Sequence, residues 1–207
     1  MTSTAELSAE AISEIASVVS AGAGFAGCRS TVWVQGTCAV LSFRLDKDES
    51  DRRRAAGLGA ITSPDILHFL LGLPTGKPVA LEALTPAERS MLRTVPQGTI
   101  LVSAGMVIRQ AVPPLGVEMA MVPARSWRKG LERAGRFAPF CSRAMVLRTP
   151  PRDLDALRLE AGFYGIGVIV AAGGTEPDVL VAPARFRRNR FTAAGWRFLE
   201  EVYRQVR

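Results

Sequence analysis

Residues that bind zinc or form disulfide bonds are scarce in this sequence. One histidine and three cysteines, Cys28, Cys38 and Cys141, occur among 207 residues, and no two cysteines form a CxxC pair. Because a closed zinc site needs four Cys or His ligands, usually in close pairs, we do not expect a structural metal. An odd number of cysteines also fits a reducing compartment better than a disulfide framework.

Membrane-spanning and secretory signals are missing as well. No apolar run reaches the roughly 18 residues that a membrane span needs. The opening MTSTAELSAEAISEI carries acids where a secretory signal carries basic residues. These features predict a cytoplasmic protein without a membrane partner.

Signatures of small-molecule enzymes are also absent. The sequence has no phosphate-binding glycine loop, no nucleophile elbow and no histidine with a signalled partner acid. Gly165-Ile166-Gly167 and Gly173-Gly174 have the character of separate turns and strand ends, not of a nucleotide loop. We therefore expect no cofactor.

Acidic residues are outnumbered by basic ones, 19 to 26, which gives a formal net charge of +7. Such an excess favours polyanionic partners, among them nucleic acid. Hydrophobic residues make up 48% of the chain, enough to bury the core of one large domain or two small ones.

The first part of the chain shows helix and hairpin signals. Residues 4–20 place apolar side chains on one helical stripe and acidic side chains on another, as in an amphipathic helix. The alternating run TVWVQGTCAVLSFRL predicts a β-hairpin that turns near Gln35-Gly36. For the charged DKDESDRRR that follows we expect an exposed loop or helix start, since most such runs are solvated.

Two helix starts come next. Ser63 before Pro64 is a typical N-cap, and Thr85 and Glu88 have the spacing of a capping box. The single histidine, His68, lies among apolar residues of the first helix and is expected to be a core residue. With the segment KPVALEAL between them, the two helices fit either a winged-helix-like unit or part of the same domain as the remainder.

The second half alternates between strands and helices. TILVSA, MVIRQAV and GVEMAMV, the first two separated by Ala104-Gly105, predict a three-stranded antiparallel meander. A helix from Ser126 to Ala138, the strand SRAMVLRT, the helix DLDALRLEAGFYG, the strands IGVIVAA and DVLVAP, and the helix FTAAGWRFLEEVYRQV follow. This order predicts an α/β fold with a mixed sheet flanked by helices. We divide the chain into residues 1–84, a helix, hairpin and helical segment, and residues 85–207, the α/β core.

Glu118 on the third strand of the predicted meander is followed closely by the helix SWRKGLERAGRFAPF, the strand SRAMVL and the segment YGIGVIV. Residues 85–184 thereby resemble the restriction-endonuclease-like, or PD-(D/E)XK, superfamily, in which a helix, a three-stranded meander, a helix and a further strand form the core. The resemblance is sharpest from Val117 to Val170 and covers about half of the chain. It implies a nuclease-like core in the C-terminal half.

Such a core cleaves phosphodiesters with Mg²⁺ held by an acid on the second strand and an acid on the third, beside a lysine two residues further on. Glu118 matches the third-strand acid, but Ala120 stands at the lysine position and MVIRQAV contains no acid. The resemblance therefore implies a pseudoenzyme with a degenerate active site and no bound metal.

An active Mg²⁺-dependent DNA nuclease is the first alternative. It would use Glu118 together with Lys129, supplied from the adjacent helix. It would also need a second acid from the front half of the chain, such as Asp46, Asp48 or Glu49. Magnesium would then be the cofactor.

Basic residues dominate the predicted helix after Glu118 and its flanks. Lys129, Arg133 and Arg136 recur at i, i+4 and i+7, on the side of the helix opposite Leu131. A second concentration, RFRRNR, precedes the last helix, and phosphate backbones are bound mainly by such arrays. The predicted nucleic-acid-binding residues, with DNA as the expected partner, are Arg125, Arg128, Lys129, Arg133, Arg136, Arg143, Arg187, Arg188 and Arg190.

The leading prediction is thus a nucleic-acid-binding protein built on a catalytically degenerate nuclease-like core. It requires binding to nucleic acid that weakens as the salt concentration rises. A second alternative is a protein-interaction or scaffold subunit, often a homodimer, in which the acidic N-terminal helix docks onto a basic face of another chain.

Overall fold

A computed structural model of the chain describes residues 27–171 and 177–207. The predicted helix over residues 4–20 lies outside this part of the chain. Within the described part, no helix is long and apolar enough to cross a membrane. The elements in chain order are β1 (Cys28–Val34), β2 (Thr37–Leu45), α1 (Lys47–Ala55), α2 (Pro64–Gly72), β3 (Pro78–Ala80), a 3₁₀ turn (Leu81–Ala83), α3 (Pro86–Met91), β4 (Ile100–Ser103), β5 (Met106–Arg109), β6 (Leu115–Pro123), α4 (Trp127–Gly135), β7 (Ser142–Leu147), α5 (Leu154–Tyr164), β8 (Gly167–Val170), β9 (Asp178–Val181) and α6 (Ala193–Val206).

The described residues form two compact units that alternate along the chain. The first unit contains the described residues up to Arg44 and those between Val117 and Asn189, and the second contains Leu45–Gly116 and Arg190–Arg207. The predicted boundary between residues 84 and 85 therefore falls inside the second unit.

The first unit is built on a six-stranded sheet with the strand order β1-β2-β6-β7-β8-β9. β1 and β2 are antiparallel, β6, β7 and β8 are parallel, and β9 is antiparallel to β8. α4 connects β6 to β7, and α5 connects β7 to β8, as parallel strands require. The prediction of an α/β fold with a mixed sheet and flanking helices is confirmed.

Local turn chemistry fixes the hairpin of β1 and β2. Gln35 and Gly36 both have positive φ angles, 54° and 65°. A two-residue turn of type I′ requires positive φ at both positions, and glycine adopts it without a steric penalty. The predicted turn is confirmed, and it sets the register in which Val34 pairs with Thr37.

Apolar residues of neighbouring strands form the core of the first unit. Burial of nearly every residue along β7 and β8 is expected of parallel strands whose two faces are covered. Gly130 lets α4 approach this sheet closely, since a Cβ added there would lie 2.5 Å from Met145 Sδ and 3.1 Å from Ala124 Cβ. One buried cluster of the core consists of Val40, Met119, Met121, Ala144, Val146, Ile169 and Ala171.

The predicted meander of three consecutive strands is wrong. β4 and β5 do form a hairpin at Ala104-Gly105, but β5 pairs with β3 on its other side, in a three-stranded sheet of the second unit. β6 belongs instead to the six-stranded sheet, between β2 and β7. Strands β4 and β5 are four residues long and partly exposed, whereas β6 has nine residues and an almost continuous buried run, which suits a central position.

The helix starts of the second unit follow their sequence signals. The Ser63 side chain accepts a hydrogen bond from the Ile66 N–H, and Thr85 and Glu88 form the reciprocal capping box. α2 packs against α6 around a core that includes Leu67, Leu70 and Trp196. His68, expected in this core, is exposed on the outer side of α2.

The charged run after β2 is a helix with two buried residues. Asp46 caps α1 by accepting the Glu49 N–H at 3.0 Å. Glu49 and Arg53, four positions apart, both lie on the inner side of α1, where their side chains are 3% and 0% exposed. The sequence prediction of an exposed segment therefore holds for the outer side of α1 and fails for these two residues.

Arg53 lies between two buried carboxylates of the second unit. Its Nε donates to Glu49 at 2.6 Å, and its two terminal nitrogens each donate to Glu200 at 2.8 Å. Glu200 also accepts the Ile61 N–H and the Trp196 Nε1–H, both at 2.9 Å. These contacts satisfy a set of charges that burial alone would disfavour.

The pKa values in this network reflect two opposing effects, burial and contact with opposite charges. Burial alone would raise the pKa of Glu49, but hydrogen bonds from Arg52 and Arg53 hold it below its ordinary value. Burial would lower the pKa of Arg53, but its contacts with Glu200 and Glu49 hold it above its ordinary value. Both groups are therefore charged in the folded protein.

Candidate nucleic-acid interface

Glu118, the predicted catalytic acid, lies on β6 next to the β2 strand. Its carboxylate forms an ion pair with Arg44 at the end of β2. The Glu118 side chain is only 13% exposed and the Arg44 side chain 71%, so the cation covers the acid from the solvent side. The neighbouring strand therefore supplies a cation to Glu118, where a metal site would need a second carboxylate.

The residues proposed to complete a magnesium site have other roles or no contacts. Asp46 caps α1, and Glu49 binds Arg52 and Arg53. Lys129 is exposed on α4, and its side chain makes no hydrogen bond or ion pair with another described residue. In residues 27–171 and 177–207 there is no group of three or more Cys, His, Asp or Glu residues that could hold a metal ion.

α4 presents opposite chemistry on its two sides. Trp127, Leu131 and Ala134 are buried on the inner side, which packs against β7. The outer side carries Arg128 and Lys129, both exposed. Because apolar residues at spacings of three and four fix the inner side, the cations are held in solvent along one face.

Arg136, at the end of α4, is the most heavily engaged cation of this face. It pairs with Glu132 at 2.9 Å and also donates to the carbonyl oxygens of Gln35 and Gly36 at 3.2 Å. It therefore braces the hairpin turn as well as extending the positive face. Arg128 lies over the ring of Trp127, with its guanidinium carbon 4.5 Å from the ring centre.

Arg143, another residue predicted to contact nucleic acid, lies on β7. Its Nη2 donates to the Tyr164 carbonyl at 2.5 Å, at the C-terminal end of α5 where carbonyl groups lack helical partners. Its Nε is buried and has no hydrogen-bond partner in the part of the chain that the structure describes. Burial lowers the pKa of this guanidinium from its ordinary value, although an arginine stays protonated at neutral pH.

A cleft of about 440 Å³ lies between α4 and α5. We call it the α4–α5 cleft; the residues that line it include Arg128, Leu131, Glu132, Arg143, Glu160 and Tyr164. Beside it, Phe163 and Tyr164 are 82% and 54% exposed, with their rings edge to face at 5.1 Å between centroids. This feature could not be predicted from the sequence, because apolar positions on an amphipathic helix predict burial and give no sign of an exposed aromatic pair.

The second basic segment has no helix or strand, and half-buried Phe186 anchors it. The Phe186 N–H donates to the Ser142 hydroxyl at 2.9 Å, and the Arg188 guanidinium carbon lies 5.9 Å from the Phe186 ring centre. Arg187 is exposed in the same segment. Arg190, also predicted to contact nucleic acid, is exposed but belongs to the second unit.

The predicted nucleic-acid contacts thus have unequal surroundings. Arg133 and Arg143 are half-buried, and the other predicted cations, including Arg125, are exposed. The side chains of Lys129, Arg133 and Arg187 make no hydrogen bond or ion pair within the described ranges. Comparisons of the chain with protein-family models, with curated proteins and with solved structures find no match.

Proposed function

We propose that this protein binds nucleic acid, with DNA as the leading partner, through two basic parts of the first unit, the outer side of α4 and the segment 185–189. The observation that carries the proposal is a set of cations whose side chains have no partner among the described residues, namely exposed Lys129 and Arg187 and half-buried Arg133. Unpaired cations on a fixed helix face give up little internal stabilisation when they bind phosphates. Their gain comes from the release of counterions from the nucleic acid.

The strand order supports a nuclease-like core for this binding surface. β2 of the β1–β2 hairpin lies beside β6 in the sheet, although residues 46–114 separate the two strands in the chain, and α4 then leads to β7, which is parallel to β6. Three strands, a helix and a further strand are the order that the restriction-endonuclease-like resemblance implies. In this proposal β1, β2 and β6 replace the strands first assigned from the sequence.

The same assignment supports a core that binds without cleaving. The second-strand acid would have to come from β2, but the residue of β2 that meets Glu118 is Arg44. An ammonium or guanidinium partner neutralises a carboxylate and leaves it less able to recruit Mg²⁺, which prefers oxygen ligands. Nucleic-acid affinity would then need no bound metal.

A salt titration tests the proposed function. Binding of a labelled DNA duplex, followed by fluorescence anisotropy, should weaken as salt rises, with a log–log slope of about −0.9 for each neutralised phosphate. Lys129→Glu and Arg133→Glu should each weaken binding and reduce that slope. Arg204→Glu, the same charge change at an exposed arginine of α6, serves as the matched control and should have a smaller effect.

Two results would overturn the proposal. Absence of binding at about 50 mM salt would remove its basis, since phosphate contacts are strongest at low ionic strength. Equal losses in the Lys129→Glu and Arg204→Glu variants would show that net charge matters and the α4 face does not. Addition of Mg²⁺ to the same mixtures tests the nuclease alternative, because cutting that disappears in Glu118→Gln would assign catalysis to Glu118.

A further inference from the structure

We infer that the α4–α5 cleft receives an unstacked base, and that the nucleic acid bound beside it is single-stranded. This inference rests on the proposed function and names its substrate class. It combines an exposed aromatic pair, a cleft with a free carboxylate, and the cations of the adjacent helix.

The aromatic pair supplies the stacking surface. Phe163 and Tyr164 expose 82% and 54% of their surface, unlike the aromatic residues Trp127 and Trp196, which are buried in the cores. Their edge-to-face contact, with an angle of 84° between the rings, limits ring rotation without covering both faces. Exposed rings of this kind stack on bases of single strands, and every base offers a face for such contact.

The cleft has the size and polarity for a base edge. Its volume of about 440 Å³ lies in the range of small-molecule pockets. Glu160 lines the cleft and is exposed. Its side chain makes no hydrogen bond or ion pair with any residue that the structure describes. A carboxylate in this position can accept a hydrogen bond from an exocyclic amino group, such as that of cytosine. An uncompensated acid is poorly suited to a phosphate, so the base and not the backbone enters here.

The cations of α4 provide the path for the backbone. Arg128 lines the cleft, and Lys129 follows it on the outer side of the helix. Phosphates along α4 would therefore be held within one or two residues of a base turned into the cleft. A duplex keeps its bases paired and stacked, and turning one outward costs a few kcal/mol, so a strand that is already single binds more readily.

Competition between strands tests the inference. A single-stranded DNA, a single-stranded RNA and a DNA duplex of the same sequence compete for the wild-type protein at fixed salt. We expect either single strand to bind at least about tenfold more tightly than the duplex. Comparison of the DNA and RNA strands shows which of the two the protein prefers. Tighter binding of either strand than of the duplex supports the inference.

Substitutions then separate stacking from apolar contact. Phe163→Leu removes the ring but keeps an apolar side chain, and it should weaken single-strand binding by roughly 5- to 100-fold, as expected for one lost stack, while duplex binding stays unchanged. Leu159→Ala is the matched control, since Leu159 is also on α5 and 76% exposed. It should leave single-strand binding unchanged. Both substitutions lie at the surface, and circular dichroism confirms that the variants remain folded.

The outcomes distinguish this inference from the proposed function. Absence of binding to every nucleic acid overturns the proposed function and the inference together. Salt-dependent binding of equal strength to duplex and single strands, unaffected by Phe163→Leu, overturns the inference and leaves the proposed function intact. Equal losses of single-strand binding in Phe163→Leu and Leu159→Ala would show that general apolar contact, and not stacking on the ring, holds the strand, and would also overturn the inference.

Discussion

Arg53 is expected to be among the most important charged residues for the stability of the second unit. In the variant Arg53→Met an apolar chain of similar length replaces the guanidinium. Glu49 and Glu200, whose side chains are 3% and 0% exposed, would then lose the cation that lies between them. Glu49 keeps its contact with Arg52, whereas Glu200 keeps only the Ile61 and Trp196 N–H groups.

The expected loss in the free energy of unfolding follows from the carboxylates that stay buried in the variant. Removal of one partner of a buried ion pair typically lowers the free energy of unfolding by about 3–5 kcal/mol, because an uncompensated buried charge remains. Two carboxylates are affected here, so we expect a loss toward the upper end of that range. Since domains are stable by only about 5–15 kcal/mol, the variant should unfold at a much lower denaturant concentration.

Urea denaturation measures this loss, and amide exchange assigns it to the correct unit. The Ile61 N–H donates to Glu200 and should exchange faster in Arg53→Met than in the wild type. Arg54→Met is the matched control, since Arg54 is 79% exposed, and its loss should stay below about 1 kcal/mol.

A specific result would refute this reasoning. If Arg53→Met and Arg54→Met lower the free energy of unfolding by the same small amount, Arg53 does not hold buried carboxylates in solution. A large loss without faster exchange at Ile61 would point to a different part of the molecule.

Three further predictions concern pH, thiol reactivity and backbone conformation. Because its folded pKa lies below the ordinary 4.5, Glu49 stabilises the fold above that pH and loses this effect as pH falls through its folded value. Acid should therefore lower wild-type stability more steeply than that of Glu49→Gln. Burial raises the pKa of the Cys141 thiol to about 12, so a thiol reagent at pH 8 should label exposed Cys28 and reach Cys141 only on unfolding. Gly98→Ala should destabilise the protein more than Gly76→Ala. Both glycines have positive φ angles. A Cβ added at Gly98 would lie 2.7 Å from Ala56 Cβ, whereas a Cβ added at Gly76 would have no described atom within 4 Å.

Each of these predictions has a contrary outcome. Parallel pH profiles for the wild type and Glu49→Gln would show that this carboxylate titrates at the same pH in the folded and unfolded states. Rapid labelling of Cys141 in native buffer would contradict its burial. Equal unfolding free energies for the two glycine variants would mean that the chain near Ala56 shifts to accommodate the added Cβ with no loss of free energy.

Features determined by a few neighbouring residues could be predicted from the sequence. The turn at Gln35-Gly36 and the caps at Ser63 and Thr85 depend on chemistry within three or four positions. The cation face of α4 was predictable for the same reason, since the inner apolar residues recur at helical spacing.

Features that depend on distant partners could not be predicted. Nothing within the run DKDESDRRR distinguishes Glu49 and Arg53 from its exposed charges, because Glu200, which binds Arg53, is 147 residues further along the chain. The apolar pattern of β4, β5 and β6 indicates strands but does not state which neighbour each strand chooses. The exposed Phe163 beside the α4–α5 cleft could not be predicted, because a large apolar residue on a helix is expected to be buried.

The long sequence separation of Arg53 and Glu200 has a consequence for synthesis on the ribosome. Most of the second unit is translated early, yet Glu200 and Trp196 emerge only after all the strands of the six-stranded sheet. Until then Glu49 and Arg53 form only half of their network, and the apolar residues around α2 lack the cover of α6. We expect the nascent chain to hold this unit open, and therefore within reach of chaperones and proteases, for most of its translation.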